Sequence, residues 1–132
     1  MRHLMAGKKL NRNSHHRKSL VKNLIQELVM HETIETTETK AKLIIPKVEK
    51  IINKAKTQDV HSKRQIIAIL FDDTIAKKIT DDLAKRYEKI KNGYVKMLRL
   101  KRRRGDNTMI VRLQLQKIEN QEKKDKKEEG VN

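Results

Sequence analysis

Arg2, Lys8, Lys9, Arg12, Arg17, Lys18 and Lys22 fall within the first 23 residues, and no Asp or Glu falls among them. Lys89, Lys91, Lys96, Arg99, Lys101, Arg102, Arg103 and Arg104 form a second block free of acids over 89–104. Cations at this density repel one another unless something negative neutralises them, so the chemistry they offer is phosphate neutralisation. The chain has 33 Lys+Arg against 17 Asp+Glu, a formal net charge of +16, and the seven and eight unopposed charges of these blocks supply 15 of it. Residues 24–88 hold 12 bases against 11 acids, and residues 105–132 hold six of each. A surface charged only for solubility would mix its signs along the whole chain, as the middle does.

Other reactive residue types do not assemble into a site. His3, His15 and His16 lie in the basic start, with His31 and His61 further on. Adjacent His15 and His16 diverge on a helix, no His-x-x-x-His pair occurs, and there is no Cys, so no metal site is predicted. The histidines suit hydrogen bonding to phosphate or ribose, with His31 as a charge at a helix C-terminus. Asp72-Asp73 and Asp81-Asp82 would suit a magnesium nuclease only if they converged. Neighbouring acids on a helix diverge, and positions 72 and 81 do not share a face. They read instead as a helix cap and a solvated pair. No nucleophile triad, phosphate-binding Gly loop or dinucleotide fingerprint is present. The chain is therefore read as a non-enzyme with no cofactor, no metal and no small-molecule substrate.

Composition narrows the class. At 132 residues the chain is one domain with tails. Hydrophobic residues make up 36% and aromatics 2%, which predicts a small aliphatic core without a large ligand cavity. Absence of Cys excludes disulfides, zinc ribbons and thiol catalysis. The longest apolar run, Ile66 to Phe71, is six residues, far below the roughly 18 of a membrane span. No apolar stretch follows the charged start, so no secretory signal is predicted. These features point to a soluble intracellular protein with a polyanionic partner and no membrane.

The elements that must position the cations can be read from periodicity. Residues 1–12 lack apolar periodicity and are expected to form an extended basic arm, reaching on the order of 40 Å if stretched, that orders only against its partner. Asn13 or Ser14 caps a helix carrying Leu20, Val21, Leu24, Ile25, Leu28 and Val29. Arg17, Lys18 and Lys22 sit near its start, the end where the macrodipole disfavours cations, which nearby phosphates would offset. Thr33 to Thr37 reads as a strand. Ala41, Ile44, Ile45, Val48, Ile51, Ile52 and Ala55 form the stripe of a second helix, with a kink or a junction of two helices expected at Pro46. Residues 61–71 form a third helix, and a fourth begins at Asp72-Asp73 with Ile75, Ile79, Leu83 and Tyr87 along one side. Asn92-Gly93 is a turn. Tyr94 to Leu100 is a strand. Met109, Val111, Leu113 and Leu115 alternate with Ile110, Arg112, Gln114 and Gln116 in another. These two strands predict a hairpin whose tip is the Arg-rich loop.

The order helix, strand, three helices, two strands predicts an α+β fold of two layers, helices packed on a small, mostly antiparallel three-stranded sheet. The globular part spans 13–116, and 117–132 is a polar C-terminal tail. Of the aromatics, Phe71 and Tyr87 read as core, which leaves no stacking platform for unpaired bases. There is no zipper, zinc module or clear recognition helix, so a structured RNA read by shape and phosphate is favoured over DNA.

The residues Met1-Arg2-His3, Gly7, Leu10-Asn11-Arg12-Asn13-Ser14 and His16-Arg17 resemble the start of the bacterial large-subunit ribosomal protein seventeen family. The resemblance continues through His31-Glu32, Ile34, Thr36-Thr37, Lys40-Ala41-Lys42 and Ala55-Lys56-Thr57, then Gly93-Tyr94, the basic loop and Gly105-Asp106-Asn107. Family members often carry Pro where Lys50 stands here. The resemblance implies an integral, non-enzymatic protein of the large ribosomal subunit in the cytoplasm, bound to 23S ribosomal RNA near the rim of the polypeptide exit tunnel beside neighbouring large-subunit proteins. It further implies Arg2, His3, Arg12, Ser14, His16 and Arg17 as RNA contacts of the arm. The residues themselves add Lys8, Lys9, Asn11, Asn13, His15, Lys18 and Lys22 from the arm and first helix. From the hairpin they add Lys96, Arg99, Lys101, Arg102, Arg103 and Arg104. The rival readings are a nucleoid or regulatory DNA-binding protein, which usually has a dimer interface for which no leucine seam is seen, and a nuclease built on the aspartates.

Overall fold

The computed structural model describes His3 and residues 7–118. Arg2 lies outside the described residues, as does most of the polar tail. Along the chain run α1 (Ser14–His31), β1 (Thr33–Thr37), α2 (Glu38–Ala55), α3 (Val60–Leu70) and α4 (Asp73–Lys78). A π-helical turn (Ile79–Leu83), α5 (Ala84–Arg86), β2 (Val95–Arg102) and β3 (Met109–Leu115) follow. The α+β order matches the periodicity. No helix among the described residues is long and apolar enough to cross a membrane.

The helices bury the stripes that the sequence offers. Asn13 caps α1, its side-chain oxygen accepting the His16 N–H at 2.9 Å, and α1 buries Val21, Ile25, Leu28 and Val29. Asp72 caps α4 in the same way through the Thr74 and Ile75 amides. Of the two outcomes expected at Pro46, the junction of two helices does not form, because one helix runs from Glu38 to Ala55 through it. Proline in a helix interior costs about 3 kcal/mol. Against that, Ala41 and Ile44 before it and Val48, Ile51, Ile52 and Ala55 after it are all buried in one core. Each buried large aliphatic contributes about 1.5–3 kcal/mol, so both halves stay on the same surface.

The sheet has the order β1-β3-β2, with both pairings antiparallel. Val111, Leu113 and Leu115 face the helices and are fully buried. Between Arg99↔Val111 and Lys101↔Ile110 the register slips, leaving Leu100 as a bulge. A bulge adds local twist and bends its strand. Beyond it β2 has no buried residue.

One aromatic expectation is reversed. Tyr87 and Tyr94 are the fully buried pair, with ring centroids 5.0 Å apart, whereas Phe71 is 78% exposed. Phe71 follows the last residue of α3 with φ 54°, in the left-handed region. That reversal of the backbone takes its side chain off the helical stripe that ends at buried Leu70.

A polar corner joins the layers. Glu32 ends α1 with φ 59°, its carbonyl accepts the Leu115 N–H at 2.9 Å, and its carboxylate takes both Arg86 Nη groups at 3.0 and 2.9 Å. Arg86 also reaches Asp82 at 2.8 Å, and the Tyr87 hydroxyl donates to the Gln116 carbonyl at 2.7 Å. The Arg86 hydrogen bonds hold the Glu32 carboxyl below its ordinary value, against a smaller opposing effect of burial. A carboxylate with a depressed folded-state value stabilises above its unfolded value, near 4.3, and that stability is lost as pH falls through the folded one. Glu32→Gln is therefore expected to cost about 1–2 kcal/mol at neutral pH. In urea unfolding, its gap to the parent chain should narrow as pH is lowered below about 4.

Candidate nucleic-acid interface

Residues 9–12 fold back where an extended chain was expected. Leu10 and Asn11 take φ of 54° and 52°, and the Arg12 amide closes a turn on the Lys9 carbonyl at 3.1 Å. Arg17 Nη1 donates to the carbonyls of Arg12 at 3.0 Å and Lys9 at 3.4 Å. The Arg12 guanidinium donates to Leu10 O at 3.2 Å, and its buried Nε has no partner among the described residues. Residues 9–12 are thus laid on the start of α1, because two guanidiniums donate to the carbonyls of Lys9, Leu10 and Arg12. Arg12 and Arg17, expected as phosphate ligands, also serve as internal braces, and Asn13 is engaged as the helix cap. His3, Lys8, Lys9, Asn11, Ser14, His15, His16 and Lys18 are exposed, and Lys22 is half-buried. No acid stands in the first turn of α1.

The hairpin brings the second block together. Lys96, Arg99, Lys101, Arg102, Arg103 and Arg104 are all exposed. The loop is held by the Arg103 amide on Thr108 O at 2.8 Å and the Asn107 amide on Arg103 O at 3.0 Å. Gly105, at φ 98°, supplies a conformation that side-chain-bearing residues rarely take. Not every cation of the tip is free. Arg103 forks onto Asp106 at 3.2 and 2.5 Å, which holds that carboxyl well below the usual carboxylate range. Arg99 pairs with Glu38 at 2.7 Å. Lys42 first, then Arg99, lowers the Glu38 carboxyl to about 2. Lys96, Lys101 and Arg104 make no ion pair among the described residues.

Three cations escaped the charge reading. Lys47, Lys50 and Lys54 stand along one side of α2 and, with Lys18 and Lys22 of α1, rim an apolar cleft. The signal was their spacing, three and four residues apart on one helix face. Balanced net charge over 24–88 concealed it. Among the described residues no three His, Asp or Glu side chains come together as a metal group.

The family model for Ribosomal protein L17 matches residues 20–116. The large ribosomal subunit protein bL17 of Pelagibacter ubique is 43% identical over 107 residues, covering 81% of this chain and 74% of that protein. Its counterparts from Azorhizobium caulinodans and Allorhizobium ampelinum are 44% and 40% identical over 110 residues, each covering 83% of this chain and 79% and 78% of their own.

The brace at Arg17 carries its own prediction. Arg17→Met should release residues 9–12 and raise tryptic cleavage after Lys9 and Arg12 several-fold, because local opening governs proteolysis. Global stability should fall by less than about 1 kcal/mol, since the turn lies outside the core.

Proposed function

The chain belongs to the ribosomal protein L17 family, and from that premise we propose that it holds 23S ribosomal RNA through its basic arm and its basic hairpin. As a family member it is a structural, non-enzymatic constituent of the large subunit of the cytoplasmic ribosome. The carrying observation is the hairpin tip, where Lys101 to Arg104 are exposed on a loop fixed by its own hydrogen bonds. A fixed loop presents its cations without an ordering cost at the moment of binding. The folded segment 9–12 gives the arm a defined root on α1, and Lys8, Lys9, His15, His16 and Lys18 extend the same positive surface. The proposed role is electrostatic and steric: the two basic parts neutralise phosphates where RNA segments converge, and the helical body gives them a fixed origin. A seat near the rim of the exit tunnel, beside neighbouring large-subunit proteins, completes the proposal. So does the division into an arm (1–12), a globular body (13–116) and a polar tail (117–132).

Purified protein should bind deproteinised 23S rRNA with an affinity that falls about 10³- to 10⁵-fold between 50 and 200 mM salt. The triple substitution Lys101→Ala/Arg102→Ala/Arg104→Ala should reduce the slope of log affinity against log salt by about 2. An unchanged slope, or equal affinity for duplex DNA of matched length, would contradict the proposal.

A further inference from the structure

The cleft rimmed by the α1 and α2 lysines has a volume of about 480 Å³. Val21, Ile25 and Ile51 line it, and Ile69 and Phe71 from the end of α3 close one side. Lys18, Lys22, Lys47, Lys50 and Lys54 surround it, and no carboxylate lines it. None of these five forms an ion pair among the described residues. The Phe71 ring is exposed beside this floor, and Lys22 Nζ stands 5.1 Å from its centroid. Its backbone takes the left-handed conformation in which helices usually end on glycine. Apart from the Lys22 contact, core packing among the described residues does not account for a large exposed aromatic at such a position.

We propose that this cleft binds an unpaired RNA nucleotide, whose base stacks on Phe71 over the apolar floor while the adjoining phosphates meet the lysine rim. The inference rests on the RNA-binding reading and extends it from structured RNA to a single-stranded segment. Two observations favour RNA over an acidic protein. Five separated cations without an acid among them suit a chain that carries a charge at every unit, whereas an amphipathic helix brings its acids to one side only. The volume suits one small ligand, while a stable protein contact covers about 800 Å² on each partner. Apart from Ser19 the lining offers only apolar groups and ammonium groups, so the site should accept any base.

The chain lacks Trp, so Phe71→Trp introduces a single indole at the site. With a short oligouridylate at low salt, its fluorescence should be quenched with the same midpoint as the anisotropy of the labelled RNA. Phe71→Ala should weaken oligouridylate binding about 5- to 100-fold. Phe71→Leu should do nearly the same, because it keeps apolar bulk and loses the π face. Lys47→Ala/Lys50→Ala/Lys54→Ala should lower the salt slope by about 2. Phe71 is exposed, so these variants should match the parent chain by circular dichroism. The inference is overturned by binding without quenching, by full affinity in Phe71→Leu, or by an indole that responds only to other large-subunit proteins. Hairpin-dependent binding of 23S rRNA without any binding of oligouridylate would end this inference alone. Failure of both RNAs would end the rRNA reading as well.

Discussion

The hydrogen-bond ladder that seats β3 between β1 and β2 is the constraint on which the rest of the molecule depends. β3 comes last among the described elements yet lies in the middle of the sheet. Its inward side chains, Val111, Leu113 and Leu115, are fully buried under α1 and α2. Its end is fastened twice more, by the Leu115 amide on Glu32 O and the Gln116 amide on Tyr94 O, both at 2.9 Å. The corner at Glu32 therefore joins the end of α1, the Asp82–Arg86 segment and the end of β3. With its base held in this way, the β2–β3 hairpin can carry its far end, beyond the Leu100 bulge, clear of the core.

The two kinds of cation divide the work. Guanidiniums largely build: Arg12 and Arg17 brace the arm, Arg86 holds the corner, Arg99 and Arg112 tie sheet residues to Glu38 and Glu35, and Arg103 fixes the hairpin loop. A planar fork can satisfy two acceptors at once, which an ammonium cannot do in fixed geometry. Lysines largely remain available, including Lys18, Lys47, Lys50, Lys54, Lys96 and Lys101. The division is not absolute, because Lys56 is held by Tyr94 and the Ile90 carbonyl, and Arg104 makes no ion pair among the described residues. Exposed ion pairs such as Arg103–Asp106 are worth little, because solvent screens them. Exchange of that carboxylate for a phosphate is therefore inexpensive, and the tip can both fold alone and bind.

Much of this was legible in the sequence. Strict alternation from Met109 to Leu115 identified a half-buried strand, Asn13 and Asp72 were readable caps, and the stripes of α1 and α2 matched their buried faces. The acid-free blocks located the exposed hairpin cations by counting alone. Local rules failed where a distant group decided the outcome. Pro46 offers a kink or a junction of two helices from its own chemistry, and burial on both sides of it keeps one continuous helix. Phe71 ends an apolar run and looks like core until the left-handed residue turns it outward. The bracing by Arg12 and Arg17 was not legible, because it depends on the turn at Leu10 and Asn11 that brings carbonyls to them. Lys47, Lys50 and Lys54 gain their meaning only when α1 packs beside α2.

The central claim, a structural large-subunit protein anchored by many phosphate contacts, is tested most directly on the native particle. Ribosomes from the source cell, washed at about 0.5 M salt to weaken sparse ionic contacts, would be separated on a sucrose gradient and this chain counted by mass spectrometry. Recovery near one copy per large subunit is the predicted result. Release into the light fractions, or co-sedimentation with DNA, would contradict it.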